Sequence, residues 1–208
     1  MTTKNKILDA AEQLFADKGF NGTSLREITG VAGVNLAAVN YHFGSKKELI
    51  KAVMSRYMDE LSPKLESALS LLCQAEIKPS LHEVFSAFVE PLLGLSGFRE
   101  NGTSNFLQLL GRGYTDSQGF LRWFLTTQYP NVFSHFTQAV HKAYPELTTE
   151  EMFWRLHFTM GTIVFTMSSS EALIDIAQND FNKQLDIEAV INKVIPYVAA
   201  GVAAPILK

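Results

Sequence analysis

The stretch of residues 23–48 constrains the fold of this chain more than any other part of the sequence. Ser24 and Glu27 have the spacing of a capping box, in which a hydroxyl and a carboxylate satisfy the free amides at a helix start. Gly30 and Gly33 follow closely, and glycine favours the backbone conformation that ends helices. The stretch is therefore predicted to begin with a short helix that ends in a tight turn.

A further short helix is predicted directly after this turn, over residues 35–42. Val39 and Phe43 can face inward from it, whereas its other side chains are mostly small or polar and lie outward or at the edge. Ser45 and Glu48 form a second capping-box pair, which opens a longer helix. Two short helices joined by a glycine turn, with a helix on either side, predict a helix-turn-helix that binds DNA.

Such a unit needs phosphate contacts that fix its position and base contacts that supply sequence preference. Lys4, Ser24 and Lys46 are predicted to contact phosphates, because they lie at helix starts where backbone amides also attract anions. Arg26 is the best candidate for a base contact outside the third helix, since a guanidinium can pair with guanine through two hydrogen bonds. The candidates on or beside the third helix are Asn35, Leu36, Ala37, Ala38, Asn40, Tyr41 and His42. The alternative for each residue is an ordinary solvated side chain.

Composition sets the broad class of protein. The chain has 208 residues, of which 47% are hydrophobic, so a substantial core can form. Residues 1–50 hold six Lys and Arg against five Asp and Glu, which is no strong electrostatic footprint for DNA. The placement of the charges therefore has to carry the DNA-binding hypothesis. The single Cys73 excludes an intrachain disulfide and fits a reducing compartment, so we expect a cytoplasmic protein.

No stretch of the sequence is expected to cross a membrane. The most apolar window, from Met152 to Met167, is shorter than the roughly 20 residues that a spanning helix needs. It also contains Arg155 and His157. The N-terminus enters an amphipathic pattern without the apolar run of a signal peptide, so no membrane partner is expected.

The whole chain is predicted to be all-α, because no segment shows sustained alternation of strand-favouring residues. About nine helices are expected from the apolar periodicity and the breaks. Their predicted spans are 3–18, from 25 to the glycines at 30 and 33, 35–42, 46–62, 81–95, 103–113, 117–143, 149–178 and 187–204. Pro63 and Pro130 are expected to kink or interrupt their helices. Residues 1–47 would form the DNA-binding domain, and residues 48–208 a larger effector-binding and dimerisation domain joined to it by the fourth helix.

Residues 7–50 resemble the DNA-binding domain of TetR-family transcriptional regulators. The segments that carry the resemblance are ILDAAEQLFADKGF, TSLREITGVAGV and NYHFGSKKELI. The sequence departs from the family pattern at Asn40, where many members have Tyr, and at Thr29, where Ala is usual. The first departure puts a phosphate contact in doubt or moves it to Tyr41.

Over the rest of the chain the sequence resembles a more specific group within this family. Residues 105–123, 152–161 and 196–202 are similar to PsrA-type regulators, which sense long-chain fatty acids. That resemblance implies a repressor of fatty-acid degradation genes that is released from a palindromic operator by a fatty acid such as oleate or by an acyl-CoA.

A hydrophobic effector would require an apolar pocket with few polar groups. Arg112 is the first candidate to meet a carboxylate head group, because it lies inside apolar sequence. The predicted lining residues are Met58, Phe106, Leu109, Leu110, Arg112, Phe120, Phe124, Phe133, Phe136, Phe158 and Gly161. The alternatives are an ordinary packed core for the apolar residues and a structural ion pair or helix cap for the arginine.

The last two predicted helices are expected to form a homodimer surface. The apolar stripe assigned to it consists of Phe165, Val190, Ile191, Val194, Val198 and Val202. A two-fold dimer joined there would place two helix-turn-helix units in successive major grooves about 34–36 Å apart.

Two other functions remain open at this point. A regulator of the same fold could respond to an unrelated hydrophobic effector. An enzyme of acyl substrates is disfavoured, because the sequence has no Gly-x-Ser-x-Gly elbow, His-Glu-x-x-His site or phosphate-binding glycine loop. We expect no catalytic residue, no cofactor and no metal, since the histidines form no compact ligand pattern.

Overall fold

The computed structural model describes the backbone of residues 1–205 and their side chains except those of residues 115, 117 and 118. Within this range every regular element is a helix, which confirms the predicted all-α class. The helices are α1 Thr3–Gly22, α2 Leu25–Ala32, α3 Leu36–Phe43, α4 Lys46–Gln74, α5 Leu81–Ser86, α6 Val89–Leu93, α7 Leu95–Phe98, α8 Gly102–Gln128, α9 Pro130–Ala143, α10 Thr149–Ser168, α11 Ser170–Phe181 and α12 Ile187–Val202. We refer to α1, α2 and α3 as the reader.

The first helix contains a break where the sequence predicts its end. Gly19 has φ of 78° and ψ of 171°, a backbone conformation that residues other than glycine rarely adopt. One further turn then carries α1 to Gly22. The buried Thr23 hydroxyl donates to the carbonyls of Leu14 at 3.0 Å and Gly19 at 2.8 Å, which closes the break.

Pro63 was expected to kink or restart the fourth helix, but α4 continues through it to Gln74. The proline ring faces solvent, and the buried stripe continues on both sides of it through Leu61, Leu65 and Leu69. Because packing of this stripe stabilises the helix, the loss of one backbone hydrogen bond is tolerated.

The helix boundaries after residue 80 differ most from the expectation. The single helix predicted over 81–95 is divided into α5, α6 and α7, and the one predicted over 149–178 divides at Ser169. The predicted break between 113 and 117 is absent, because α8 runs from Gly102 to Gln128, whereas the interruption predicted at Pro130 is confirmed, since this proline is the first residue of α9. Gly113 is buried within α8 where a Cβ would approach Phe20 to 2.9 Å, so this glycine permits close packing.

Two clusters of buried residues form the core. The first joins the reader to α4, α7, α8 and α9, and the second joins α5, α12 and the ends of α9 and α10. The reader therefore packs directly on the helices that follow it, and the division at residue 47 stays a prediction. No helix in the described part of the chain is long and apolar enough to cross a membrane.

Candidate nucleic-acid interface and effector core

The start of α2 and the turn from α2 into α3 both form as the sequence predicts. Ser24 Oγ accepts the Glu27 amide at 3.2 Å, and the Glu27 carboxylate accepts the Ser24 amide at 2.7 Å. The Ser24 amide, followed by Lys18 at 3.0 Å from the carboxylate, lowers the pKa of Glu27 to about 2. Gly33 then takes a left-handed conformation with φ of 63°. The capping box fixes where α2 begins, and the glycine fixes how the chain turns into α3.

The third helix presents one face to the core and the other to solvent. Val39 and Phe43 are buried, whereas Ala37, Asn40 and Tyr41 are exposed, with Tyr41 at 85% of its full accessible area. Leu36 is also exposed, and Ala38 lies at the edge of this face. The outward face of α3 is therefore free to enter a DNA groove.

Polar and basic side chains surround this face. Asn35 caps α3, because its side-chain oxygen accepts the Ala38 amide at 2.9 Å. Lys4 and Arg26 are exposed in the first turns of α1 and α2, and among the described side chains none pairs with the Arg26 guanidinium. Lys46 is half-buried in the first turn of α4. Arg26 is thus the predicted base contact whose donors remain available.

His42 is half-buried, and the ring of Tyr41 meets it edge-on at 5.1 Å. The capping box predicted at the start of α4 is only half formed. Ser45 Oγ accepts the Glu48 amide at 3.2 Å, but the Glu48 carboxylate pairs with Lys51 at 2.8 Å. This ion pair satisfies the carboxylate in place of the Ser45 amide, which donates to the Phe43 carbonyl.

Comparison with known proteins decides the family. Residues 7–53 match the family model of bacterial regulatory proteins of the tetR family, and residues 86–201 match that of the tetracyclin repressor-like C-terminal domain. The chain belongs to the TetR family. It is a DNA-binding transcriptional regulator, as predicted, and the family is one of regulators and not of enzymes.

Curated relatives of this TetR-family chain match over about a third of its length. YttP of Bacillus subtilis (strain 168), by name an HTH-type transcriptional regulator, is 43% identical over 70 residues, which cover 34% of each chain. The HTH-type transcriptional activator FasR of Mycolicibacterium smegmatis is 36% identical over 66 residues, covering 32% of this chain and 30% of that one. The aligned part thus spans about a third of each relative.

Solved structures show the same fold over nearly the whole chain. A TetR-family transcription regulator from Shewanella sp. PV-4 superimposes with a TM-score of 0.61 at 17% identity, covering 96% of this chain and 97% of that one. The fatty acid degradation regulator FadR from Bacillus halodurans gives 0.60 at 15% identity, with coverage of 96% and 95%. SmeT, the repressor of the Stenotrophomonas maltophilia multidrug efflux pump SmeDEF, gives 0.58 at 17%, with coverage of 96% and 90%.

Eight of the predicted effector-lining residues of this TetR-family protein belong to the first core cluster, where four are buried and four are half-buried. They do not converge on one point, since Phe120 lies beside Lys51 near the start of α4, whereas Phe136 lies beside Phe88, towards the end of α4. The buried ones are Met58, Phe106, Leu109 and Phe124, and the half-buried ones are Leu110, Phe120, Phe133 and Phe136. Aromatic rings dominate the contacts, as at Tyr57 and Phe106, whose centroids are 5.5 Å apart.

Three predicted lining residues lie elsewhere. Phe158 and Gly161 are exposed on α10, so they do not join this apolar cluster. Arg112 Nη2 donates to the Asp17 carbonyl at 3.0 Å, and Nε donates to the Ala16 carbonyl at 3.4 Å. Arg112 is therefore a cap on α1, which was the structural alternative. The open cleft beside it, about 250 Å³ and lined mainly by polar residues, does not suit an acyl chain.

A polar network between α1, α4 and the end of α7 was missed from the sequence. Glu12 is buried, and its carboxylate accepts from Tyr57 Oη at 2.7 Å and from Arg56 and Arg99 at 3.1 Å each. Burial acts to raise the pKa of Asp9, but hydrogen bonds from Arg56 and Arg99 hold it below its ordinary value. Burial and then the bond to Glu12 raise the pKa of Tyr57. The only sequence signal was an acidic residue within the apolar run of the first helix.

The stripe assigned to the dimer interface lies mostly inside the protomer. Its members on α12 are buried against α5 and α10, contrary to the expectation that they face outward: Val190, Ile191, Val194, Val198 and Val202. Phe165 is exposed, and so are Trp154 and Phe158 on the same face of α10. Tyr197 on the outer face of α12 is exposed as well. Among the described side chains, Trp154, Phe158 and Phe165 thus form an exposed apolar stripe along one face of α10.

Proposed function

We propose that this protein is a repressor that binds a palindromic operator as a homodimer and is released by a long-chain fatty acid or acyl-CoA. Its targets would be genes of fatty-acid degradation. The observation that carries the proposal is the exposed face of α3, with Asn40 and Tyr41 outward and, beside it, an Arg26 guanidinium that no described side chain binds. A protruding helix of small and hydrogen-bonding side chains suits the major groove.

The aromatic core between α4, α8 and α9 supports an acyl effector. An acyl chain gains about 0.8 kcal/mol for each methylene that it buries, so a long chain can offset the cost of separating these helices. FasR and FadR, named above, are regulators of which the second is described as controlling fatty acid degradation. These similarities point in the same direction as the composition of the core.

The exposed face of α10 supports the homodimer. Trp154, Phe158 and Phe165 recur at the spacing of one helix face, and Gly161 between them lets another backbone approach closely. Burial of such a face against a second copy removes apolar surface from water and places two readers on one duplex.

An unrelated hydrophobic effector is the second candidate. It is favoured by Arg112, whose guanidinium binds the α1 carbonyls and is not free to meet a carboxylate. SmeT, a structural neighbour, is described as repressing a multidrug efflux pump. With Arg112 engaged on α1, the aromatic core would accept an uncharged apolar molecule as readily as a carboxylate.

The test is direct. Operator duplexes are selected from a random library with the purified protein, and binding is then measured by fluorescence anisotropy with oleate, oleoyl-CoA, methyl oleate or a hydrophobic cation. We expect oleate or oleoyl-CoA to raise the operator Kd at least tenfold. Unchanged affinity in saturating oleate and oleoyl-CoA contradicts the fatty-acid proposal, and release by the cation alone supports the second candidate. Native mass spectrometry of the purified protein shows any lipid that co-purifies.

A further inference from the structure

The third helix presents an outward face without a charged side chain. Its segment Leu36–Phe43, LAAVNYHF, contains no Lys, Arg, Asp or Glu, and its exposed members are Leu36, Ala37, Asn40 and Tyr41. Arginine and lysine are the usual partners of guanine in the major groove, because they donate to both guanine acceptors. That contact is left to Arg26 of α2, so α3 is suited to the other features of the base edges.

The side-chain amide of Asn40 is available to a base. Asn40 is exposed, and no hydrogen bond joins its side chain to any other residue that the structure describes. Its backbone carbonyl accepts the Gly44 amide at 2.9 Å, which fixes its position in the last turn of α3. By contrast, Asn35 Oδ1 is already engaged, because it caps α3 by accepting the Ala38 amide at 2.9 Å. Asn40 can therefore offer a donor and an acceptor at the same time.

Adenine is the base whose major-groove edge matches such an amide. Its N7 atom accepts a hydrogen bond from Nδ2, and its N6 amino group donates one to Oδ1. Guanine presents two acceptors on the same edge, so Asn40 Oδ1 would lose its water without gaining a donor. An acceptor left in this state costs free energy, which makes Asn40 discriminate against guanine.

Leu36 lies one turn before Asn40 on the same side of α3, and it is 41% exposed. Its position on the face that enters the groove gives this exposure a meaning, because the C5 methyl group of thymine is the apolar feature of the major groove. Four residues of helix rise about 6 Å, and two base-pair steps span about 7 Å. A thymine methyl that Leu36 contacts therefore lies within about two base pairs of the base at Asn40.

From these features we propose that each operator half-site contains an adenine that Asn40 binds through two hydrogen bonds and, within about two base pairs of it, a thymine whose methyl group packs on Leu36. Asn40 and Leu36 are thus the residues of α3 that determine its sequence preference. The inference deepens the proposed function, because it names the bases that the operator presents to α3, and it rests on that function only for the operator. The effector has no part in it.

The experiment changes single groups of the DNA and of the protein together. In the selected operator duplex, 7-deazaadenine replaces each adenine in turn, which removes the N7 acceptor and leaves base pairing intact. Uracil replaces each thymine in turn, which removes only the methyl group. Fluorescence anisotropy without effector gives the Kd for the parent protein, Asn40→Ala and Leu36→Ala. Asn179→Ala, at an exposed asparagine of α11, is the matched control.

At one adenine of the half-site, 7-deazaadenine should raise the Kd of the parent protein and of the control about fivefold, since one hydrogen bond is lost. It should not affect Asn40→Ala, whose Kd for the unmodified operator should already be about tenfold higher. Uracil at a thymine nearby should raise the Kd about threefold in the parent protein but not in Leu36→Ala. A selection repeated with Asn40→Asp should replace the adenine by cytosine, because a carboxylate accepts from cytosine N4 and cannot donate to N7.

A parent protein that is insensitive to 7-deazaadenine at every adenine overturns the role of Asn40, and so does an equal penalty in Asn40→Ala. A uracil penalty that persists in Leu36→Ala overturns the role of Leu36. The first comparison uses the parent protein alone, so it holds even if a variant fails to fold. An operator that oleate and oleoyl-CoA do not release would overturn only the proposed effector, because these titrations contain no effector.

Discussion

Arg99 Nη2 lies 2.8 Å from Asp9 Oδ1, and Arg56 Nη2 lies 2.8 Å from the same oxygen. Two cations from α4 and from the end of α7 thus converge on one carboxylate of α1. Glu12, one turn further on, binds both guanidinium groups again. The DNA-binding unit is therefore joined to the rest of the chain by charges as well as by apolar packing.

Glu12→Gln is expected to lower the free energy of unfolding by about 2 kcal/mol, because it removes the buried carboxylate that accepts from Arg56, Arg99 and Tyr57 and leaves Asp9 alone to compensate the two guanidinium groups. The amide also places an N–H where Arg56, Arg99 or Tyr57 now donates. Urea unfolding followed by circular dichroism measures the change. Glu76→Gln, at an exposed position outside the helices, serves as the control and should shift the value by less than about 0.5 kcal/mol.

Gly19→Ala is expected to destabilise the protein by about 2 kcal/mol, because its φ of 78° and ψ of 171° form a region occupied almost only by glycine. The new Cβ would also lie 2.5 Å from the Asp116 carboxylate. Gly30→Ala is the matched control, since Gly30 lies inside α2 and a Cβ there meets nothing within 4 Å beyond the backbone of its own helix. That control should raise stability by about 0.5 kcal/mol. Thermal unfolding of both variants tests the pair, and equal effects would contradict the assignment.

Arg26→Ala is expected to raise the operator Kd about 10- to 100-fold, because a bidentate contact to guanine contributes about 1–3 kcal/mol. The loss should disappear on duplexes in which the contacted base pair is changed. Lys46→Ala should weaken binding to every duplex and reduce the slope of log K against log salt by about one. Anisotropy titrations at several salt concentrations separate the two, with Arg122→Ala on α8 as the unchanged control. An effect of Arg26→Ala that is equal on all sequences would make it a phosphate contact.

The Glu27 cap predicts a pH dependence of stability. Its pKa in the folded protein is about 2, below the ordinary value of 4.5, so the folded state favours the charged carboxylate. The stabilising contribution is therefore present above pH 4.5 and is lost as the pH falls towards 2. The stability difference between the parent protein and Glu27→Gln should shrink over that window, as measured by urea unfolding at each pH. A difference independent of pH would show that the charge contributes nothing.

Phe158→Asp is expected to convert the proposed dimer into a monomer, since it places a charge on the exposed face of α10 where the two copies would meet. Light scattering coupled to size exclusion measures the mass. Leu71→Asp, at a position on α4 that is 68% exposed, is the control and should leave the dimer intact. Dimers of both variants would place the interface on another surface.

The helix starts of the DNA-binding unit were predictable because capping is local. A hydroxyl at Ser24 reaches an amide three residues later, and a glycine at position 33 turns the chain whatever surrounds it. The same rule gave only half of the answer at Ser45, because Glu48 has a second partner in Lys51. Whether Glu48 binds the Ser45 amide therefore depends on a competing cation one turn further along the helix.

The helix boundaries from Pro63 onwards were harder to predict, because glycine and proline occur inside helices as well as at their ends. Gly113 was read as a helix end, but it lies inside α8 where Phe20 needs room. Pro63 was read as a break, but the apolar stripe of α4 packs on both sides of it. The predicted apolar stripe of α12 is present, but it packs on α5 and α10 within the protomer and does not face a second copy.

By itself, the sequence determined an all-helical chain, the caps and turn of the DNA-binding unit, and the apolar residues that fill its core. These follow from interactions that span three or four residues and from the period of a helix. The contact of Arg99 with Asp9, 90 residues apart, and the cap that Arg112 forms on α1 in place of meeting a ligand both follow from the way the helices pack. Such pairings depend on how α1 lies along α8, and that arrangement is set by packing over the whole molecule.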